Sequence, residues 1–153
     1  MDQDFFSTNA DLENEDLTDF DFSDSWLNRA LLSNVKASGA KFDRAKLQGV
    51  EFIDADLRNT TWTAADLSCD DLWRCTNFSG ANLSGADFSG ATLSDANGNG
   101  IVFIDANLTD ANFKGAKVLF IITTGAVFKN TICPDGINSD DKPTFKGHPQ
   151  GCL

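Results

Sequence analysis

The chain has 153 residues, 41% of them apolar and 23% charged, enough for one domain with a real core and too evenly mixed for a disordered polyelectrolyte. With 12 Lys and Arg against 23 Asp and Glu the net charge is −11, so nucleic acid and anionic lipid are poor partners while a cationic partner stays open. No apolar run approaches the roughly 20 residues of a bilayer span, and no membrane insertion is expected.

The acidity is concentrated at the start, where residues 1–28 carry nine Asp or Glu and no Lys or Arg. Met1 to Ala10 shows neither a basic n-region nor an apolar h-region, which fits a cytoplasmic chain or one whose signal has been removed. Four cysteines in so small a domain are more than a reducing compartment usually retains, a lean toward an oxidising one.

From Leu12 a large apolar residue returns every fifth position: Leu17, Phe22, Leu27, Leu32, then on through Phe42, Leu47, Phe52, Leu57, Trp62, Leu67 and Leu72. The pattern is plainest in Ala81-Asn82-Leu83-Ser84-Gly85, Ala86-Asp87-Phe88-Ser89-Gly90 and Ala106-Asn107-Leu108-Thr109-Asp110. A small residue stands two places before most centres, as at Ala30, Ala40, Ala45, Ala55, Ala65 and Ala111. A period of five would smear the centres around a helix and alternate them across a strand. A quarter turn per quintet instead points every centre inward and closes a coil in about 20 residues. Polar and Gly residues after each centre suit corners with side-chain hydrogen bonds or positive φ.

These quintets resemble the pentapeptide-repeat family, written A(D/N)LxX, over residues 10–130. The resemblance implies an all-β, right-handed quadrilateral β-helix, here of about six coils, about 29 Å tall at the roughly 4.8 Å sheet spacing. Residues 1–130 are expected to form the β-helix with a short N-terminal cap, and residues 131–153 an irregular C-terminal capping tail. Counting by 20 assigns Leu12, Leu32, Phe52, Leu72, Leu93 and Phe113 to one face. It assigns Leu17, Ala37, Leu57, Phe78, Gly98 and Val118 to the next, and Phe22, Phe42, Trp62, Leu83, Phe103 and Thr123 to the third.

Departures from the period carry more information about function than the period does. Six steps separate Leu72 from Phe78, which reads as a one-residue bulge at Trp73, Arg74, Cys75 and Thr76. Cys69 and Cys75 flank it, but stacked neighbours lie about 20 residues apart, so the two are not expected to bond. Farther on, outward positions turn apolar at Val102, Ile104, Leu119, Phe120 and Ile122. This candidate interaction patch calls for cover by the tail or by a second subunit, as in a homodimer.

The tail leaves the repeat through Cys133-Pro134-Asp135-Gly136 and ends at Cys152-Leu153, with Gly147-His148 between. Similar cyanobacterial and chloroplast-lumen proteins finish with a Cys-Pro-Asp-Gly turn and a second cysteine. That resemblance, the inward register of Cys133 and the lack of a better partner for Cys152 together imply a Cys133–Cys152 disulfide across the last coil. His148 with Cys133 and Cys152 supplies three potential zinc ligands without CxxC or HxxxH spacing. No metal site, cofactor or catalytic set is expected: the chain has a single histidine, no GxGxxG, no Walker loop and no HExxH. The expected function is a non-enzymatic structural or protein-interaction role with an unknown partner. The alternative, implied by resemblance to quinolone-resistance pentapeptide proteins, is an acidic DNA mimic that binds a type II topoisomerase, gyrase. Lys36, Lys41, Arg44 and Lys46, which interrupt the acidic stretch, argue against it.

Overall fold

The structure is a computed structural model that describes residues 8–72, 74–94, 101–114, 116–119 and 121–141. Its unit is the quintet, and the quintet is explained by where its five backbone N–H groups go. Around Leu17, the Leu17 N–H donates to the Lys36 carbonyl one coil on (2.7 Å), and the Asp19 N–H to the Ser38 carbonyl (3.0 Å). The Phe20 N–H closes the turn on the Leu17 carbonyl (3.1 Å), while the Lys36 N–H returns to the Glu15 carbonyl (3.0 Å). The remaining donor, Thr18 N–H, is taken by the Asp16 carboxylate at 3.2 Å. An Asp or Asn before each centre therefore satisfies a donor that no neighbouring coil reaches. The same Asx turn recurs at Asp21, Asp66, Asn77, Asn82, Asp87, Asn107 and Asn112.

Two residues after the centre the chain must pass through positive φ, as a type II turn requires. Asn14, Asp19, Asp24, Asn34, Asp54, Asn59 and Gly39, Gly49, Gly80, Gly85, Gly90 hold these corners. With most of each quintet spent on the turn, the residue before the centre makes a single parallel bridge, such as Asp16 to Lys36 to Asp56. Longer ladders form only at β1 (Thr92–Ser94) with β3 (Lys117–Leu119), and at β2 (Ile101–Val102) with β4 (Ile121–Ile122), both parallel. These four are the strands among the described residues.

Centres and preceding small residues fill the interior, with Ala30, Ala40, Ala45, Ala55 and Ala65 fully or almost fully buried. The stacking order differs from the count by 20, however. The bridge spacing is 20 residues from Asp11–Leu31 to Lys46–Asp66, then 26 at Glu51–Asn77 and 25 at Asn82–Asn107 and Asp87–Asn112, returning to 20 at Asn107–Val127. Phe78 consequently follows Phe52 in its column, Leu83 follows Leu57, and Phe88 follows Trp62. Leu72, expected inward, is 62% exposed. The departure there is a whole quintet plus one residue turned out of the stack, rather than a one-residue bulge. Gly98, the second expected thinning of a face, lies outside the described residues.

The physical gain is aromatic. One column stacks Phe22, Phe42, Trp62, Phe88 and Phe113 with rings nearly parallel, at centroid separations of 5.1, 4.2, 5.3 and 4.8 Å. Another stacks Phe52, Phe78 and Phe103 at 5.1 and 5.2 Å. Across the core the two sets meet edge to face, as in Phe42–Phe52 and Trp62–Phe78, the arrangement that ring quadrupoles favour. The Trp62 Nε1–H, buried among them, donates to Thr60 Oγ1, whose own hydroxyl donates to the Leu57 carbonyl. Leu27, Leu47, Leu67 and Leu93 fill a third side, and Leu57, Leu83 and Leu108 the fourth.

At the far end Ile132 bridges back to Asn112 and, antiparallel, to Asn138. A short 3-10 turn at Ser139–Asp141 follows. Ser139 Oγ donates to the Phe128 carbonyl and accepts from the Thr131 N–H, and Cys133 is fully buried in the column above Phe113.

Candidate functional site

The departures from the repeat converge on one edge of the solenoid, the corner reached after Leu27, Leu47, Leu67 and Leu93. Ordinary turns occupy it at Asn28–Arg29 and Gln48–Gly49, tied by Gln48 N–H to Asn28 Oδ1 at 3.1 Å. After Leu67 the chain instead makes the excursion through residues 68–76. Thr76, in the small-residue position before Phe78, is buried and donates its hydroxyl to the Leu47 and Leu67 carbonyls. It closes the coil beneath the loop.

The loop is built around a carboxylate. Asp70, its side chain 5% exposed, accepts at Oδ2 from Arg29 Nε (2.7 Å) and Arg74 Nε (2.9 Å). At Oδ1 it accepts from the N–H groups of Leu72 and Arg74, both at 2.9 Å. Burial alone would raise this carboxyl, but the Arg74 N–H, the two guanidinium groups and the Leu72 N–H together hold it down at about 2. Arg29 also pairs with Asp71, and the loop backbone packs on the bare corner of Gly49, where an added Cβ would lie 3.1 Å from the Arg74 carbonyl oxygen.

Cys69 and Cys75 are joined in a disulfide, with Cα atoms 4.0 Å apart. This corrects the sequence expectation that they stay unbonded. The 20-residue register governs pairs in stacked coils, whereas this bond closes a hairpin-like excursion whose Asp70 N–H already bonds the Arg74 carbonyl at 2.8 Å. A legible signal was available: the inward small position before Leu72 would have fallen on Asp70, and an unpaired carboxylate has no place in that core.

Leu72 belongs to the loop that Arg29 grips through Asp70 and Asp71, and Trp26 and Leu31 hold the outward positions on the two faces that meet at the Arg29 corner. Trp26 is 66%, Leu72 62% and Leu31 36% exposed, so three of the large exposed apolar side chains among the described residues belong to this loop and to the two positions that flank its corner. The sequence-derived patch borders the same edge through its backbone: Val102 pairs with Ile122 and Leu119 with Ser94. Ile104 is half-buried, and Phe120 lies outside the described residues.

The acidic first coil is largely committed to structure. Asp16 and Asp21 are lowered chiefly by the hydroxyls of Thr18 and Ser23 within their Asx turns, and Asp24 by a bidentate pair with Arg44. Asp16 bridges Lys36 and Asp21 bridges Lys41 in backbone register, so the basic stretch lies directly on the acidic one. Of the expected Cys133–Cys152 pair, Cys133 takes part in a disulfide, and Cys152, like His148, lies outside the described residues.

The family profile described as Pentapeptide repeats matches in eight copies over residues 27–61 and 87–118. No curated protein matches the sequence. Among solved structures, HetL, a pentapeptide repeat protein involved in heterocyst differentiation regulation from Nostoc sp. strain PCC 7120, is 24% identical over 86% of this chain with a TM-score of 0.52. This chain spans 60% of HetL's length. A pentapeptide repeat protein from the Arabidopsis thaliana thylakoid lumen is 30% identical, covering 88% of this chain and 72% of that one, with a TM-score of 0.31. QnrB1, a plasmid-mediated fluoroquinolone resistance protein, is 21% identical over 86% of this chain and 66% of its own, with a TM-score of 0.39.

Proposed function

We propose, from the premise that this chain belongs to the pentapeptide-repeat family, whose known structures are right-handed β-helices, that it is a non-enzymatic interaction protein. In this reading a quadrilateral β-helix of about six coils presents one edge to a protein partner. Members of the family are generally structural or interaction proteins. The observation that carries the reading is the exposure of Trp26 and Leu31, which flank the Arg29 corner, and of Leu72 in the loop that Arg29 holds. The proposed patch continues toward the other end through Val102, Leu119 and Ile122, whose backbones pair along this edge, and takes in Ile104.

The tail from residue 131 caps the last coil in this proposal, held by a Cys133–Cys152 disulfide that non-reducing peptide mapping reads directly. The participation of Cys133 in a disulfide and the mutual pairing of Cys69 with Cys75 support that assignment. Two disulfides favour an oxidising compartment, periplasm or thylakoid lumen. Among the described residues no helix is long and apolar enough to cross a membrane.

An apolar edge and an acidic mimic differ in their response to salt, because screening weakens charge pairing and leaves apolar burial intact. Capture from native extract should be lost with the double variant Trp26→Ser and Leu72→Ser. It should persist, from low to about 0.5 M salt, when Asp11, Asp16 and Asp21 are changed to Asn. Salt-sensitive inhibition of gyrase supercoiling at micromolar protein, abolished by the Asn variant and indifferent to the Ser variant, would instead establish the DNA mimic.

A further inference from the structure

The loop at residues 68–76 is fastened separately from the solenoid that bears it. Coil hydrogen bonds continue on both sides of it, Leu67 N–H to the Thr92 carbonyl at 2.9 Å and Asn77 N–H to the Val50 carbonyl at 2.9 Å. Thr76 seals the corner beneath through two backbone carbonyls of neighbouring coils. Among the described residues, none of the aromatic columns includes a loop residue. Cys69 and Cys75 are both half-buried, whereas Cys133 is sealed in the core. Their disulfide spans six residues, so it constrains the loop and very little else. It is also the covalent part of a grip that brings Asp70 and Asp71 onto Arg29, 41 and 42 residues earlier in the chain.

We propose that the Cys69–Cys75 disulfide is a redox latch, opened by a dithiol reductant while the solenoid stays folded. A thiolate of the reductant attacks one loop sulfur, forming a mixed disulfide and releasing the other cysteine as a thiolate. The second thiol of the reductant then resolves the mixed disulfide. The loop has gained two electrons and two protons, and the dithiol has become a disulfide. Without the covalent closure the loop keeps its hydrogen bonds and ion pairs but loses its covalent constraint, and the grip on Arg29 weakens. The switch alters an exposed part of the edge, Leu72 and Asp71, and leaves the core columns as they are. The proposal concerns the loop itself and does not depend on which partner the edge receives.

The test uses the full chain and dithiothreitol as the dithiol. Native reduction followed by alkylation and peptide mapping should label Cys69 and Cys75 well before Cys133. Hydrogen exchange of the Asp70, Leu72 and Arg74 amides should then quicken by about 30-fold, the loop-closure contribution of a bond this short. Amides of Phe42, Trp62 and Phe88 should keep their rates. The double variant Cys69→Ser and Cys75→Ser should reproduce the reduced pattern without reductant. The latch is refuted if the loop amides change less than threefold. It is equally refuted if Cys133 is reduced as fast as Cys69, or if reduction of the loop abolishes the β circular dichroism, which would make the bond a staple of the fold.

Discussion

Ala64 holds a φ of 57° at a corner that its counterparts mostly give to Asp, Asn or Gly. An L-residue with a Cβ and no polar side chain is held there against a preference of about 1 kcal/mol. Ala64→Gly should therefore raise stability by up to about 1 kcal/mol, read as a higher urea midpoint at an unchanged slope. Gly80→Ala should do the reverse and by more, because Gly80 combines a φ of 70° with close approach of the Asp54 carboxylate to the place a Cβ would occupy. Asp70 gives a pH signature at the same scale. Its carboxyl is held at about 2 in the fold, so the stabilisation is complete above the ordinary carboxylate value near 4 and disappears as pH falls from there toward 2. The loss should be on the order of 1 kcal/mol, allowing for solvent around the partly exposed Arg29 and Arg74. Thermal unfolding of wild type and Asp70→Asn should converge at pH 2 and separate by pH 5.

The loop is an element that can be excised on paper and in the gene. Deleting residues 69–74 and changing Cys75 to Gly restores the 20-residue spacing found before it and puts Gly at the positive-φ corner. Thr76 already sits in the buried small-residue position. The shortened chain should unfold cooperatively with its melting temperature lowered by less than about 10 °C. Deletion of residues 56–60, which removes Leu57 from its column, should abolish the cooperative transition. The same arithmetic explains how much of the fold was legible. Inward positions, small neighbours and polar corners follow from a period of five and were readable on either side of the interruption. The stacking order beyond Phe52 was not, because an insertion of six residues is indistinguishable, modulo five, from an insertion of one. Leu72 completed the disguise by standing where a centre was due, and the widening to 25 residues at Asn82–Asn107 leaves no trace in a five-residue register. Geometry in three dimensions resolved both, since ring planes stack only when Phe78 lies on Phe52 and Phe88 on Trp62. The candidate edge was half readable: the apolar residues near its far end stood out, but the attachment of the Leu72 loop to the corner between Trp26 and Leu31 depends on Arg29 reaching Asp70 and Asp71.

For the whole molecule, the count of 23 Asp and Glu overstates how many carboxylates are free of internal partners. Asp16, Asp21 and Asp66 cap backbone donors, Asp24 and Asp56 pair with Arg44 and Arg58, and Asp70 anchors the loop. A duplex presents its phosphates without such internal engagements, and this is the physical reason for preferring the apolar edge to the mimic as the docking surface. The aromatic columns also imply an order of assembly. Each coil rests only on the coils directly before and after it, so ordering propagates outward from wherever the first stack of coils holds. Trp62, Phe78 and Phe88 each stack on a ring on both sides and meet rings of the other column edge to face on both sides. The chain should nucleate at that waist and zip toward both termini, and on heating the end coils should peel away while the waist is still closed.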